Sequence, residues 1–214
     1  MNEPFNIIEV LNELKERKKY FSSEADFQLA LAMQIEKKYG ENSVICEYAP
    51  DYESDVEESD VEDKKSRIHI DILYRNENIP IELKYRTKKA KIDFGAYKIS
   101  LKNQGAHDEG SYGFWRDVCR IGEYVKKQNA SEGYVVFLTN DGWYKNPDYS
   151  KCKDPHYYDQ FNLNENRKTR NGTISGIEKS LKDVPNIEAE WMDWDTSYGF
   201  ECYIAKINGG VCTR

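Results

Sequence analysis

The sequence predicts an α/β (α+β) fold in which a mixed central sheet is flanked by helices. Three observations lead there. The chain opens with two segments of helical apolar period, and two adjacent strand-like runs joined by a short polar turn follow them. After one more helical segment comes a nearly all-apolar run, EGYVVFLT at 132–139. A run that apolar is a strand buried on both sides, so it needs layers packed on each of its faces.

The elements follow in order. Ile7, Ile8, Leu11 and Leu14 recur at helical spacing with charges between them, which predicts a first helix over 7–18. A second opens at Ser22-Ser23 and runs to residue 38, with an apolar stripe of Phe27, Ala30, Leu31 and Ile35. Ser23 with Asp26 three residues on resembles a capping box, and Gly40 supplies the stop. Then the period changes to that of short strands at 43–48, 67–74 (RIHIDILY) and 79–85 (IPIELKY), the last two joined by Arg75-Asn76-Glu77-Asn78. The stretch 86–110 reads as looser and carries Lys88, Lys89, Lys91, Lys98 and Lys102. A helix is predicted over 112–127 from Phe114, Val118, Ile121 and Val125, followed by the strand at 132–139. A long polar loop at 140–170, a short helix at 174–181 and a closing hairpin of 188–194 with 199–207 complete the chain. The order is α-α-β-β-β-α-β plus a C-terminal hairpin.

At 214 residues, 39% hydrophobic and 32% charged, the chain suits one domain spanning 1–214. No apolar run approaches the roughly 20 residues of a membrane span. The first 19 residues carry Glu9, Glu13, Lys15 and Glu16 in place of an apolar export signal, so a cytoplasmic location is expected. The five cysteines are scattered and odd in number, which suits reduced thiols. Three dispersed histidines argue no zinc site from spacing.

Net charge is −7, yet residues 51–63 (DYESDVEESDVED) hold eight acidic residues and no Lys or Arg. Setting those eight aside leaves 30 acidic against 31 basic residues, a near-neutral body. The acidic block at 51–65 buries little apolar area and reads as a flexible loop, either simply solvated or screening a cleft as a phosphate mimic.

Alternation along a strand puts Glu82 and Lys84 on one face and Leu83 on the other. With a four-residue turn at 75–78 (or a two-residue turn at Asn76-Glu77), Tyr74 lies opposite Ile79, which sets Asp71 opposite Glu82 and His69 opposite Lys84. Directly opposed Cβ atoms lie about 4.5–5.5 Å apart, within reach of one cation. Two carboxylates so close need a proton or a cation between them, and Mg²⁺ or Mn²⁺ with oxygen ligands suits the pair. The Leu83 carbonyl adds a third oxygen. Lys84 then orients or deprotonates the attacking water and offsets charge on a phosphate, which is the chemistry of phosphodiester hydrolysis. The competing reading is a cross-strand salt-bridge set on a solvated face. The setting favours the site, because Glu-Leu-Lys interrupts an apolar strand lying beside a second apolar strand that is itself interrupted by an acid.

These residues resemble the PD-(D/E)XK nuclease superfamily, the restriction endonuclease-like enzymes and resolvases. Asp71 matches the family's Asp, with Ile70 where Pro often stands, and Glu82-Leu83-Lys84 matches its (D/E)-x-K. The resemblance implies a restriction endonuclease-like core of a helix, a three-strand meander, a helix and a further strand. It also implies an acid from the first core helix, for which Glu24 is the best match and Glu36 the weaker one. Glu24 has an ordinary explanation too, since a first-turn acid is favourable against the helix dipole.

The string LKNQGAHDEGSYGFWRDVCRIGEYV is similar to an uncharacterised bacterial branch of the superfamily. That similarity brings Gln104 toward the metal or scissile phosphate, where its plain alternative is a loop amide bonding backbone. It also matches Asp117, Arg120 and Glu123, as ion pairs or as substrate contacts. Arg86, Lys88, Lys89 and Lys91 are placed to hold a phosphate backbone, or to solvate a strand end. Trp143, Tyr144, Tyr149, Tyr157 and Tyr158 stack on unpaired bases or pack their loop onto the body. His69 is a proton carrier beside Lys84 or merely hydrogen-bonded. The expected function is a metal-dependent nuclease acting on DNA in restriction, defence or repair, with a homodimer or partner subunit for two-strand cutting. The alternative is an inactive nuclease-like domain serving as a nucleic-acid or protein interaction module.

Overall fold

The structure, a computed structural model, describes residues 3–52, 69–152, 155–174 and 176–209. From residue 53 onward the acidic segment expected as a flexible loop lies outside the described residues. Helix α1 (Ile7–Arg17) begins where the Asn6 side chain accepts from the Ile8 and Glu9 amides, and it buries Ile7, Val10, Leu11 and Leu14. Helix α2 (Glu24–Tyr39) begins at Ser23, whose hydroxyl accepts from the Asp26 amide at 3.2 Å. The reciprocal bond of the capping box is shifted by one residue, because the Asp26 carboxylate accepts from the Ser22 amide at 2.9 Å. Gly40 ends the helix at φ +105°, a conformation that favours glycine.

Strands β1 (Val44–Tyr48), β2 (Ile70–Tyr74) and β3 (Ile79–Arg86) form the predicted meander, and Ile72 faces Ile81 and Tyr74 faces Ile79 in the predicted register. A hairpin of β4 (Ala90–Phe94) and β5 (Tyr97–Leu101) occupies the stretch read as loose. Its two-residue turn sets Gly95 at φ +61°, and of its strand residues only Ile92 and Leu101 are buried, too few to show a period. Helix α3 (His107–Lys127) starts earlier than predicted, in a polar first turn with no side-chain cap. Strand β6 (Glu132–Thr139) has the predicted bounds and is buried from Gly133 onward.

Beyond it the chain is irregular as expected, apart from one 3₁₀ turn at Tyr149–Lys151 and the short α4 (Pro155–Gln160). The helix predicted at 174–181 is instead a hairpin of β7 (Arg170–Ile174) and β8 (Ile177–Leu181). Ile174, Ile177 and Leu181 have helical spacing, but Gly176 at φ +83° reverses the chain, and the paired strands tuck Ile174 and Leu181 against the body. Strands β9 (Glu188–Asp195) and β10 (Phe200–Asn208) form the predicted closing hairpin.

The main sheet runs β1-β2-β3-β6-β10-β9, with β3 and β6 parallel and every other pair antiparallel. One face carries α1 and α2, whose Phe27, Leu31 and Ile35 pack with Ile81, Leu83 and Val136. The other carries α3 and the β7–β8 hairpin, where Trp115 and Val118 pack with Val135, Phe137 and Tyr203. The sheet is therefore mixed and covered on both faces. Among the described residues no helix is long and apolar enough to cross a membrane.

The packing of α3 on β6 is tight at Gly133, where an added Cβ would lie 2.6 Å from Ile121 Cγ2, 2.9 Å from Val125 Cγ2 and 3.0 Å from Pro80 Cγ. Gly133→Ala is expected to cost about 1–3 kcal/mol by overpacking. Urea unfolding measures it, and a midpoint equal to wild type would show that α3 can shift to make room.

Candidate active site on strand β3

Strand β3 lies between β2 and β6, and its two edges behave differently. Toward β6 the pairing runs from Ile81 to Arg86. Toward β2 the ladder extends only to Ile72–Ile81. Past that point the Leu83 amide donates to Asp71 Oδ2 at 2.7 Å, and the next amide on the same edge, Tyr85 N–H, donates to Glu24 Oε2 at 2.8 Å. Alternate residues of a strand point their N–H and C=O groups the same way, so the Leu83 carbonyl sits on this edge between the two carboxylates. The expected pairing of Asp71 opposite Glu82 is not part of the ladder; Asp71 reaches β3 through its side chain instead, at Leu83, where the backbone pairing has ended. Gln28 of α2 fixes the same corner by donating to the Asp71 carbonyl at 2.7 Å.

Glu82 and Lys84 face α3, which runs antiparallel to β3. Its Gly110 lies beside Arg86, its Gly113 beside the Lys84 stem, and its Tyr124 hydroxyl donates to Asn78 at 2.7 Å. From this helix Asp117 reaches Lys84 Nζ at 2.6 Å with one oxygen and the Arg120 guanidinium at 2.6 Å with the other. Arg120 also pairs with Glu82 Oε1. Glu82 is 5% exposed and Asp117 0%. Glu82 Oε2 is buried with no hydrogen-bond partner among the described residues.

Burial pushes the Asp71 carboxyl up to about 6, against the pull of the Leu83 amide and with a further push from Glu24. Burial, then the charge of Asp117, raises Glu82 well above the ordinary carboxylate range despite Arg120. Burial pulls Lys84 down, but the charge and hydrogen bond of Asp117 prevail and hold it above its ordinary value. Lys84 is therefore an ammonium. Four carboxylates (Glu24, Asp71, Glu82, Asp117) against two cations (Lys84, Arg120) leave a charge of −2 when all are ionised, the charge one divalent ion cancels.

Among the described residues no three His, Cys, Asp or Glu side chains form a metal-holding group. The oxygens that could hold an ion here are of another composition: Asp71, Glu82 and the Leu83 backbone carbonyl. They fit Mg²⁺ or Mn²⁺, which takes one or two carboxylates and completes its shell with water and phosphate oxygens. The partnerless Glu82 Oε2 is the atom that most needs such an ion.

Other expected contributors lie apart. The Gln104 side-chain carbonyl accepts from the Thr87 amide at 2.8 Å and its hydroxyl at 3.2 Å, tying the segment after β5 to the end of β3. Arg86 lies beside Gly110 and Tyr144, and Lys88 Nζ binds Asp141 at 2.8 Å, whereas Lys89 and Lys91 are exposed. His69 faces Glu47 at 3.2 Å, not Lys84. Trp143 stacks on His107 with centroids 4.3 Å apart and meets Tyr144, Tyr149 and Tyr158 edge-on, so these aromatics pack the loop onto the body.

Residue spacing did not single out Asp117 and Arg120, although a signal was present. The two charges fall inside the apolar stripe of Phe114, Val118 and Ile121, on the face that must be buried. Comparison of the chain with family models, with curated proteins and with solved structures finds no match in any of the three.

Proposed function

We propose that this chain is a metal-dependent nuclease that hydrolyses phosphodiester bonds, with DNA as the substrate. The observation that carries the reading is the buried Glu82, one oxygen of which has no hydrogen-bond partner among the described residues, two residues from a lysine held as an ammonium. The order α2-β1-β2-β3, then the β4–β5 hairpin, α3 and β6, with Asp71 and Glu24 at the free edge of β3, supports it. Asp71, Glu82 and the Leu83 carbonyl would hold Mg²⁺ or Mn²⁺. The chemistry such an ion supplies is an activated water and a counter-charge for the transition state. Lys84 keeps its proton, so its ammonium would donate to a phosphate oxygen and hold a water beside it. Glu24 fixes the edge of the strand through the Tyr85 amide. Exposed Lys89 and Lys91 offer charge to the phosphate backbone, while Gln104 supports the strand end from a distance.

The test is cleavage of supercoiled, linear and single-stranded DNA and of RNA, with and without Mg²⁺ or Mn²⁺. Glu82→Ala and Lys84→Ala are each expected to lower the rate by about 10²–10³, the usual effect of deleting one electrostatic contributor. Equal cutting by wild type and both variants would point to a contaminant and sink the assignment. The ion pairs Lys84–Asp117 and Arg120–Glu82 favour a second reading, an inactive domain whose site is neutralised internally. That reading predicts no metal binding in calorimetry.

The pH dependence has a definite sign. A carboxyl raised from 3.8 to about 6 gives Asp71 a stabilising contribution that is complete below the lower value and lost as the pH rises through the higher one. The metal-free protein is expected to lose stability over that interval, and added Mn²⁺ is expected to restore it. Thermal midpoints at pH 5 and pH 7, with and without Mn²⁺, read both effects. No Mn²⁺ effect at the higher pH would count against the site.

A further inference from the structure

We propose that Asp117 and Arg120 are positioning residues that aim the two working groups of this site together. Arg120 turns Glu82 so that Oε2 is presented to the cation, and Asp117 fixes the Lys84 ammonium next to it. The inference rests on the metal-site reading above.

The geometry is specific. Arg120 holds Glu82 by Oε1 and leaves Oε2 buried with no hydrogen-bond partner among the described residues. A carboxylate could otherwise rotate to share both oxygens with the guanidinium. Arg120 is kept from following it by Asp117, which binds it at 2.6 Å from the preceding turn of the same helix. Asp117 spends its other oxygen on Lys84 at 2.6 Å. One carboxylate thus locks both the orienting arginine and the lysine. The helix that carries the pair is itself pinned along its length, by Tyr124 to Asn78 at one end and by the close fit of Gly110 against Arg86 and Tyr144 at the other. A planar guanidinium can bridge two carboxylates in a fixed plane, and an ammonium on a flexible stem cannot. Groups that orient a metal ligand from behind act in this way, and their loss typically weakens the metal 10–100-fold.

The test is Mn²⁺ binding alone, followed by electron paramagnetic resonance on the full chain, for wild type, Arg120→Lys, Arg120→Met and Glu82→Gln. Arg120→Lys keeps the charge and removes the fork, so it isolates geometry. Folding of each variant is checked by near-ultraviolet circular dichroism, and Arg120→Lys serves if Arg120→Met does not fold. The expected result is roughly 10–100-fold weaker binding in folded Arg120→Lys, with a comparable or larger loss in Glu82→Gln. A purely structural role would lower the unfolding midpoint and leave Mn²⁺ affinity unchanged. A purely repulsive one would tighten binding in Arg120→Met. Either result, with wild type binding normally, overturns the inference and leaves the metal site standing. Absence of Mn²⁺ binding by wild type would remove the site and the inference with it.

Discussion

Asp117→Ala is expected to destabilise the protein by about 3–5 kcal/mol, the usual loss when one partner of a buried ion pair is removed. Asp117 is fully buried and is the link between Lys84 and Arg120. Removing it takes from the Lys84 ammonium its close counter-charge under α3, so the penalty comes from uncompensated charge more than from a lost contact. Asp117→Asn keeps the shape and one acceptor, and is expected to lose less. Guanidinium unfolding of the three proteins reads the ranking. A loss below about 1 kcal/mol for Asp117→Ala would mean that water or a rotated side chain reaches the network, as at exposed pairs.

Arg170→Ala is expected to cost a similar amount, about 3–5 kcal/mol, from several buried acceptors left unpaired at once. The Arg170 side chain is fully buried, with its guanidinium 3.5 Å from the centre of the Trp115 ring. It donates to the carbonyls of Gln160 at 2.6 Å and Asn162 at 3.2 Å, and also to that of Glu165. Those carbonyls run from the last residue of α4 into the irregular chain after it, which Phe161 and Leu163 also hold down. Hydrogen exchange separates a local effect from a global one. Faster exchange confined to 140–170 would show an anchor for that segment, and uniform acceleration would show a keystone for the whole α3 layer.

Much of the site was legible because it lies on strands with a clear period. The bounds of β6, the β2–β3 register and the shared face of Glu82 and Lys84 all follow from alternation and one short turn. What stayed hidden depends on contacts far along the chain. Each of the two small hairpins buries only a few residues against neighbours, so β4–β5 shows no period, and Ile174, Ile177 and Leu181 mimic a helix. Arg170 looked like one more charge in a polar stretch, because nothing local says that it lies under Trp115. The union of Glu24 with the Tyr85 amide spans 61 residues, and only the α2 packing brings them together.

The parallel pairing of β3 with β6, described above as a matter of sheet order, also bears on when the charged centre comes into being. Parallel neighbours need a long crossover, here the β4–β5 hairpin and α3, and such non-local pairings are late steps because loop closure precedes any reward. A chain emerging from the ribosome presents Glu24, Asp71, Glu82 and Lys84 well before α3 can cover them. Glu82 and Lys84 are covered by α3, the helix that packs beside β6. The acids and the lysine are encoded early, but the environment that distinguishes them needs β6 and α3, which come later in the chain.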